Sequence, residues 1–181
     1  MTNTPKISPF RLLQQLEQRG HEHGAELPAQ EEVHEEWVGV AFRLGGAVYL
    51  APMSDVTEIL TCPQLSQVPR TKPWLKGLAN VRGTLLPVMD LNGYLGRQSS
   101  ALTRLSRVLV IRCEESMAGL LVDEVLGMRH FERNEWRALN QNADDAVQPY
   151  LDGAFEHDGE SWPVFSMRAL ANHPLFLKVA S

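Results

Sequence analysis

The sequence predicts a mainly β protein made of two small five-stranded barrels packed side by side, mostly antiparallel, with short peripheral helices. Three observations predict this. From Trp37 onward, apolar residues recur with period two in short runs, the signature of half-buried strands. Gly and Pro punctuate those runs at hairpin spacing. Finally, Gly77 to Val88, GLANVRGTLLPV, returns as Gly153 to Val164, GAFEHDGESWPV, at a constant offset of 76. Gly77 then falls on Gly153, Gly83 on Gly159, Pro87 on Pro163 and Val88 on Val164. Gly and Pro mark backbone geometry, so a shared register predicts one hairpin built twice.

In chain order, Ser8, Pro9 and then Phe10, Leu13 and Leu16 predict a short helix with one apolar face, capped at its start and stopped at Gly20. HEHGAELPAQEEVHEE, from His21 to Glu36, reads as an acidic linker or exposed helix. WVGVAFRL and AVYLA form a hairpin about Gly45 and Gly46, and VTEILTC is the next strand. Trp74 to Leu78 is expected as one helical turn leading into ANV and TLLPV, which flank a tight turn at Arg82 and Gly83. There Gly83 supplies positive φ, and Pro87 marks an edge strand or a bulge. After LNGYLG and a polar loop, RVLVIRC and AGLLVDEVLGM restart the pattern, LDGAFEHDGESWPVFSM repeats the hairpin, and a short helix closes the chain around Arg168 to Leu177. The division expected is 1–36 as an N-terminal extension, 37–171 as the double-barrel domain and 172–181 as a tail. The two barrels are intertwined around roughly 37–105 and 106–165.

At 181 residues and 44% hydrophobic composition the chain buries a respectable core. Its net charge of −5 opposes nucleic-acid binding, which draws on clustered Lys and Arg. No cationic leader or apolar run of about 18 residues is present, so the expected location is the cytoplasm. Cys62 and Cys113 read as small buried hydrophobes. No phosphate loop, dinucleotide fingerprint, zinc motif or nucleophile elbow occurs. The histidines at 34, 130, 157 and 173 are dispersed, Asp123 and Glu124 read as a solvated strand end, and Asp144 and Asp145 as a loop. No enzyme, metal or cofactor is expected, and the tryptophans at 37, 74, 136 and 162 read as packing residues.

The succession VAFRLGGAVYLAP, DVTEIL, WLKGLANVRGTLLPVMDLNGYLG and RVLVIRC with AGLLVDEVLGM resembles the CheW-like family of bacterial chemosensory adaptors. NVRG and PVMDL carry most of that resemblance, which spans about Trp37 to Ala171. It implies two SH3-like barrels without an active site. The implied role is to couple the cytoplasmic tip of a methyl-accepting receptor to the regulatory domain of a CheA-type histidine kinase, meeting the membrane only through the receptor. The N-terminal helix, LPAQEE, YLAPM and ALANHPLFL resemble the branch that serves type IV pili and twitching motility. Carried over by motif, the receptor-side surface falls on Val56, Glu58, Gly77, Asn80, Arg82 and Gly83, with Glu58 and Arg82 as a pair. Phe10, Leu13 and Leu16 offer an accessory partner surface. The sequence departs from the family at Ser166, which stands opposite Asp90 in the repeat. The competing expectation is a small-ligand-binding regulator that uses the cleft between the barrels.

Overall fold

The computed structural model describes residues 36–113, 116–138 and 144–176, together with Phe10 and Lys178. The chain divides into two units, Met1–His34 and Glu35–Ser181. In the first, Phe10 is exposed, and Leu13 and Leu16 lie outside the described residues.

The second unit carries β1 (Glu36–Leu44), β2 (Ala47–Pro52), β3 (Val56–Thr61), β4 (Leu75–Val81), β5 (Thr84–Asp90), β6 (Arg107–Cys113), β7 (Ser116–Val122), β8 (Glu124–Glu132), β9 (Trp136–Arg137), β10 (Leu151–His157) and β11 (Glu160–Phe165). They form a five-stranded sheet, β3-β6-β7-β5-β4, and a six-stranded sheet, β8-β1-β2-β11-β10-β9. Each sheet therefore takes its central hairpin from the other half of the chain. The hairpin β6–β7 sits among the first-half strands β3, β4 and β5, and β1–β2 among the second-half strands β8, β10 and β11. Parallel joins at corresponding places complete the exchange, β5 with β7 and β11 with β2.

The repeat holds in atomic detail. In β4–β5 the register shifts between Leu75 and Gly77, and in β10–β11 between Leu151 and Gly153. Leu78 faces Pro87 as Ala154 faces Pro163. The Asp90 amide donates to the Trp74 carbonyl at 2.7 Å, and the Ser166 amide to the Tyr150 carbonyl at 2.7 Å. Asp90 and Ser166 then cap short helical segments, Leu91–Tyr94 and Met167–Ala171, by accepting from the Gly93 and Ala169 amides.

Exchange explains the runs of uninterrupted apolar residues. Along β6, Val108 and Val110 face a small core inside the five-stranded sheet with Ala79, Leu86, Val88 and Leu121. The alternate residues Leu109, Ile111 and Cys113 face a large central core shared by both sheets. Along β1, Val40, Phe42 and Leu44 enter that central core while Ala41 joins Leu50, Phe131, Phe155 and Val164 inside the six-stranded sheet. Strands buried on both faces lose the polar alternation of a one-sided sheet.

Several expectations need correction. The sheets are curled but not closed by backbone pairing, because the outer edge of β4 is already taken. The Leu78 amide donates to the Ser66 carbonyl at 2.9 Å and the Ser66 amide to the Leu78 carbonyl at 2.8 Å. In the other sheet β9 takes the same edge of β10, with Arg137 facing Ala154. These straps shield edges that a closed barrel would have eliminated. Pro87 lies on an internal strand. Leu78 spends its amide and carbonyl on Ser66, so the Leu78–Pro87 pair is a non-hydrogen-bonded one, and on the other side the ladder with β7 begins only at Val88, so the missing N–H interrupts neither. Trp74 is in a turn and Leu75 already in β4, so no helix forms there. Asp123 is not a solvated strand end. Its Oδ2 accepts from the Gly45 amide at 2.7 Å and its Oδ1 from Asn92 Nδ2 at 3.1 Å, tying β7–β8 to the β1–β2 turn. Asp144 lies in a loop as expected, where it holds the Arg97 guanidinium and caps the Ala146 amide.

Gly77 is the position where this architecture admits no side chain. At φ +147° a Cβ would lie 2.5 Å from the Ser66 carbonyl oxygen, and Gly153 stands in the same place against the Trp136 ring. Gly77→Ala should therefore destabilise the protein by about 1–3 kcal/mol through forced displacement of the strap. Urea unfolding checks this, and an unchanged midpoint would mean that the strap is dispensable.

Candidate partner-binding surface

The six residues expected at a receptor-side surface divide into two kinds. Val56 opens β3 and is 6% exposed within the central core, and Gly77 lies under the Ser66 strap. Both shape the surface without presenting themselves. Glu58, Asn80, Arg82 and Gly83 come together at the tip of β4–β5.

The tip is a two-residue turn in which Arg82 has φ +50° and Gly83 φ +85°. Positive φ at both positions is the primed turn whose twist matches the flanking strands, and it is unusual for arginine. Glycine was expected to supply this geometry alone. The Asn80 side chain stabilises it, its Oδ1 accepting from the Gly83 amide at 2.9 Å. Thus placed, Arg82 Nη2 donates to Glu58 Oε1 at 2.6 Å. Since Glu58 belongs to β3 and Arg82 to the β4–β5 turn, this ion pair spans the gap between the two edges of the curled sheet. The Arg82 side chain is 79% exposed, so it is braced on one side and presented to solvent on the rest.

Two features of this surface went unread in the sequence. Leu85, opposite Asn80, is 68% exposed. Strand alternation in TLLPV carried that signal, because Leu86 and Val88 face inward. Beside β3 runs an open groove of about 640 Å³, bounded by Ser54, Asp55 and Thr57, by Arg112 at the end of β6, and by Arg168 and Asn172 of the last helical segment. No local motif joins those residues, which only the exchanged topology brings together. The groove has charged rims and an open mouth, unlike the enclosed, largely apolar sites that small ligands favour.

At the opposite end of the β4–β5 hairpin, Asp90 is fully buried. Burial alone would raise its carboxyl, but hydrogen bonds from Ser99, the Gly93 amide and Ser100 outweigh it and hold the group below the ordinary carboxylate range. Lys76 Nζ lies 3.4 Å from Asp90 Oδ2. Cys113 is buried as expected, Cys62 is half-buried with its thiol pushed up chiefly by burial, and neither is in a disulfide. Trp37, Trp74 and Trp162 pack against other aromatic rings, while Trp136 packs on Phe155 yet stays partly exposed. Among the described residues no group of His, Cys, Asp and Glu is placed to hold a metal ion, and no helix is long and apolar enough to cross a membrane.

Comparison with protein families matches residues 38–175 to the CheW-like domain. The chain belongs to the CheW-like family. It is 46% identical over 173 residues to Protein PilI of Pseudomonas aeruginosa, covering 96% of this chain and 97% of that one. Protein FrzA of Myxococcus xanthus is 33% identical over 49% of this chain and 55% of its own. Among solved structures, the scaffolding protein TtCheW from Thermoanaerobacter tengcongensis superposes with a TM-score of 0.65 at 22% identity, covering 72% of this chain and 89% of that one. The CheW-like fold expected from NVRG and PVMDL is thus the fold observed, with two curled sheets in place of two closed barrels.

An exposed ion pair contributes little to folding, so the Glu58–Arg82 contact should show a coupling of no more than about 1 kcal/mol. A double-mutant cycle of Glu58→Gln and Arg82→Gln, read by urea denaturation, measures it. A markedly larger coupling would make the pair a structural closure of the sheet.

Proposed function

We propose that this chain is a non-enzymatic adaptor that couples the cytoplasmic tip of a methyl-accepting chemoreceptor to the regulatory domain of a CheA-type histidine kinase. The pathway is the chemosensory control of type IV pili and twitching motility. Likeness to PilI over nearly the whole chain supports the pathway, and membership of the CheW-like family supports the adaptor role. One observation carries the receptor-side assignment: Arg82, in the family's turn motif, is held outward by Glu58 at 2.6 Å and by a turn locked through Asn80. A guanidinium fixed on one side and open on the other is a positioned donor for a partner's carbonyls or carboxylates. The groove beside β3 runs from the same strand and suits an elongated helical partner better than a small molecule. The adaptor works in the cytoplasm, reaching the membrane through its receptor. To Phe10, Leu13 and Leu16 of the N-terminal extension we assign contact with an accessory partner.

Arg82→Glu reverses the charge at the tip without touching any of the three cores. Capture of the receptor tip should weaken by about tenfold or more. Binding of the kinase regulatory domain and the melting temperature should stay close to those of the unaltered protein. Pull-downs with each partner and a thermal melt decide it, and undiminished receptor capture would reject the assignment.

A further inference from the structure

The two hairpin tips are equivalents under the repeat, yet different chemistry ties them down. Asp158 and Gly159 form the same primed turn as Arg82 and Gly83, with φ +51° and +78°. At the first tip an arginine–carboxylate pair spans the gap from β3 to the β4–β5 turn. At the second, Gly127 occupies the β8 position that Glu58 occupies in β3, as the matching register shifts in the two ladders show, and no arginine stands in the turn. The tie is made instead by a histidine. His157 Nδ1, at the end of β10, lies 2.6 Å from Glu135 Oε1, in the 3-10 turn Arg133–Glu135 that follows β8.

Glu135 is an acceptor already fixed in place. Its other oxygen takes the Glu132 amide at 2.8 Å in a reciprocal capping box, so binding the imidazole orders no additional side chain. The groups facing His157 are largely acidic: Glu135 and Glu132 from the turn and the end of β8, Asp158 at 3.4 Å from Nε2, and Glu160 opposite in β11. Phe131 presents its ring edge-on at 5.7 Å. The nearby cations are Arg133 and Arg137, and Arg137 is drawn toward Glu156 at 3.6 Å. Arg133 and Trp136, on and beside the turn that His157 holds, wall an aromatic cavity of about 450 Å³ with Trp37 and Phe155.

We propose that His157 and Glu135 form a proton-operated tie that fastens the turn between β8 and β9 to the end of β10, and with it one wall of the aromatic cavity, in the six-stranded sheet only. The equivalent tip in the other sheet is held by a guanidinium, which keeps its charge across the physiological range. The hydrogen bond to Glu135 raises the His157 pKa above its ordinary value, outweighing the opposing effect of burial. The same contact lowers that of Glu135. A histidine raised in the folded state contributes fully below its ordinary pKa of about 6.5 and loses that contribution as pH rises through the higher folded value. The carboxylate contributes fully above its ordinary value of about 4.3. The tie is thus tightest between those two values and slackens toward alkaline pH.

Ring titration of His157 by NMR in the full chain, with amide hydrogen exchange corrected for intrinsic pH dependence, tests the tie. His157 should titrate above ordinary histidine. Amides of β9 and β10 should exchange severalfold faster at pH 8 than at pH 6, while those of β4 hardly change. Glu135→Gln should return the titration toward the ordinary value, and His157→Gln, which leaves the capping box intact, should abolish the pH response. A His157 that titrates at or below the ordinary value, a titration indifferent to Glu135→Gln, or an exchange response that survives His157→Gln or is equal in both sheets would overturn the proposal.

Discussion

A strand buried on both faces needs apolar layers on either side of it, and β1 and β6 are such strands. Their alternate residues point into a small core within one sheet and into the large core between sheets. Neither hairpin can satisfy this within its own half of the chain. Each is instead the middle of the other half's sheet, joined in parallel to β5 or β11. The two halves therefore depend on one another for their interiors, and the duplicated unit is not a separable barrel. The groove beside β3 is a by-product of this exchange, since it lies where the end of an exchanged strand, β6, meets the last helical segment.

Duplication fixes the backbone more tightly than the side chains. The primed turns, the register shifts, the 2.7 Å strand-to-helix hydrogen bonds and the straps recur at equivalent places. The chemistry at those places has diverged. The Asp90 side chain collects hydrogen bonds from Ser99, Ser100 and Gly93 with Lys76 nearby, whereas the Ser166 hydroxyl accepts from the Ala169 amide that it caps. One tip carries an arginine braced by a carboxylate, the other an acidic turn beside a histidine. Turn geometry depends on which residues tolerate positive φ, a narrow choice, while an exposed tip side chain affects folding by only a fraction of a kcal/mol. Function can change at the tips with little cost to stability.

The same distinction explains what was legible in the sequence. Gly77, Gly83, Pro87 and their counterparts announced the repeat because few residues can replace them, and NVRG with PVMDL announced the family. Glu58 and Arg82 were paired by motif and stand in contact. The exchange of hairpins was not legible, because a strand buried on both faces reads the same whichever sheet supplies its neighbours. Ser66 gave no local signal, since a strap needs only a free amide and carbonyl, and its trace was the glycine beneath it. The helical turn Leu91–Tyr94, within LNGYLG, carries no signal of its own because a single turn has no periodicity to detect. Its start signal was the capping Asp90, hidden at the end of a strand.

Gly77 and Arg82 are constrained in opposite ways within one short hairpin. Gly77 is where a backbone strap passes too closely for any side chain, so its identity is set by packing. Arg82 meets the opposite situation: its turn would accept a glycine or asparagine more readily, and its ion pair is exposed to water. A residue that strains its backbone slightly and contributes little to stability is poorly explained by folding alone. The brace from Glu58 supplies the missing reason, because it restricts a long side chain that would otherwise sample many rotamers. The entropy of ordering that guanidinium is thus lost on folding, where a large core absorbs it, and under the proposed receptor-side role it need not be lost again on docking.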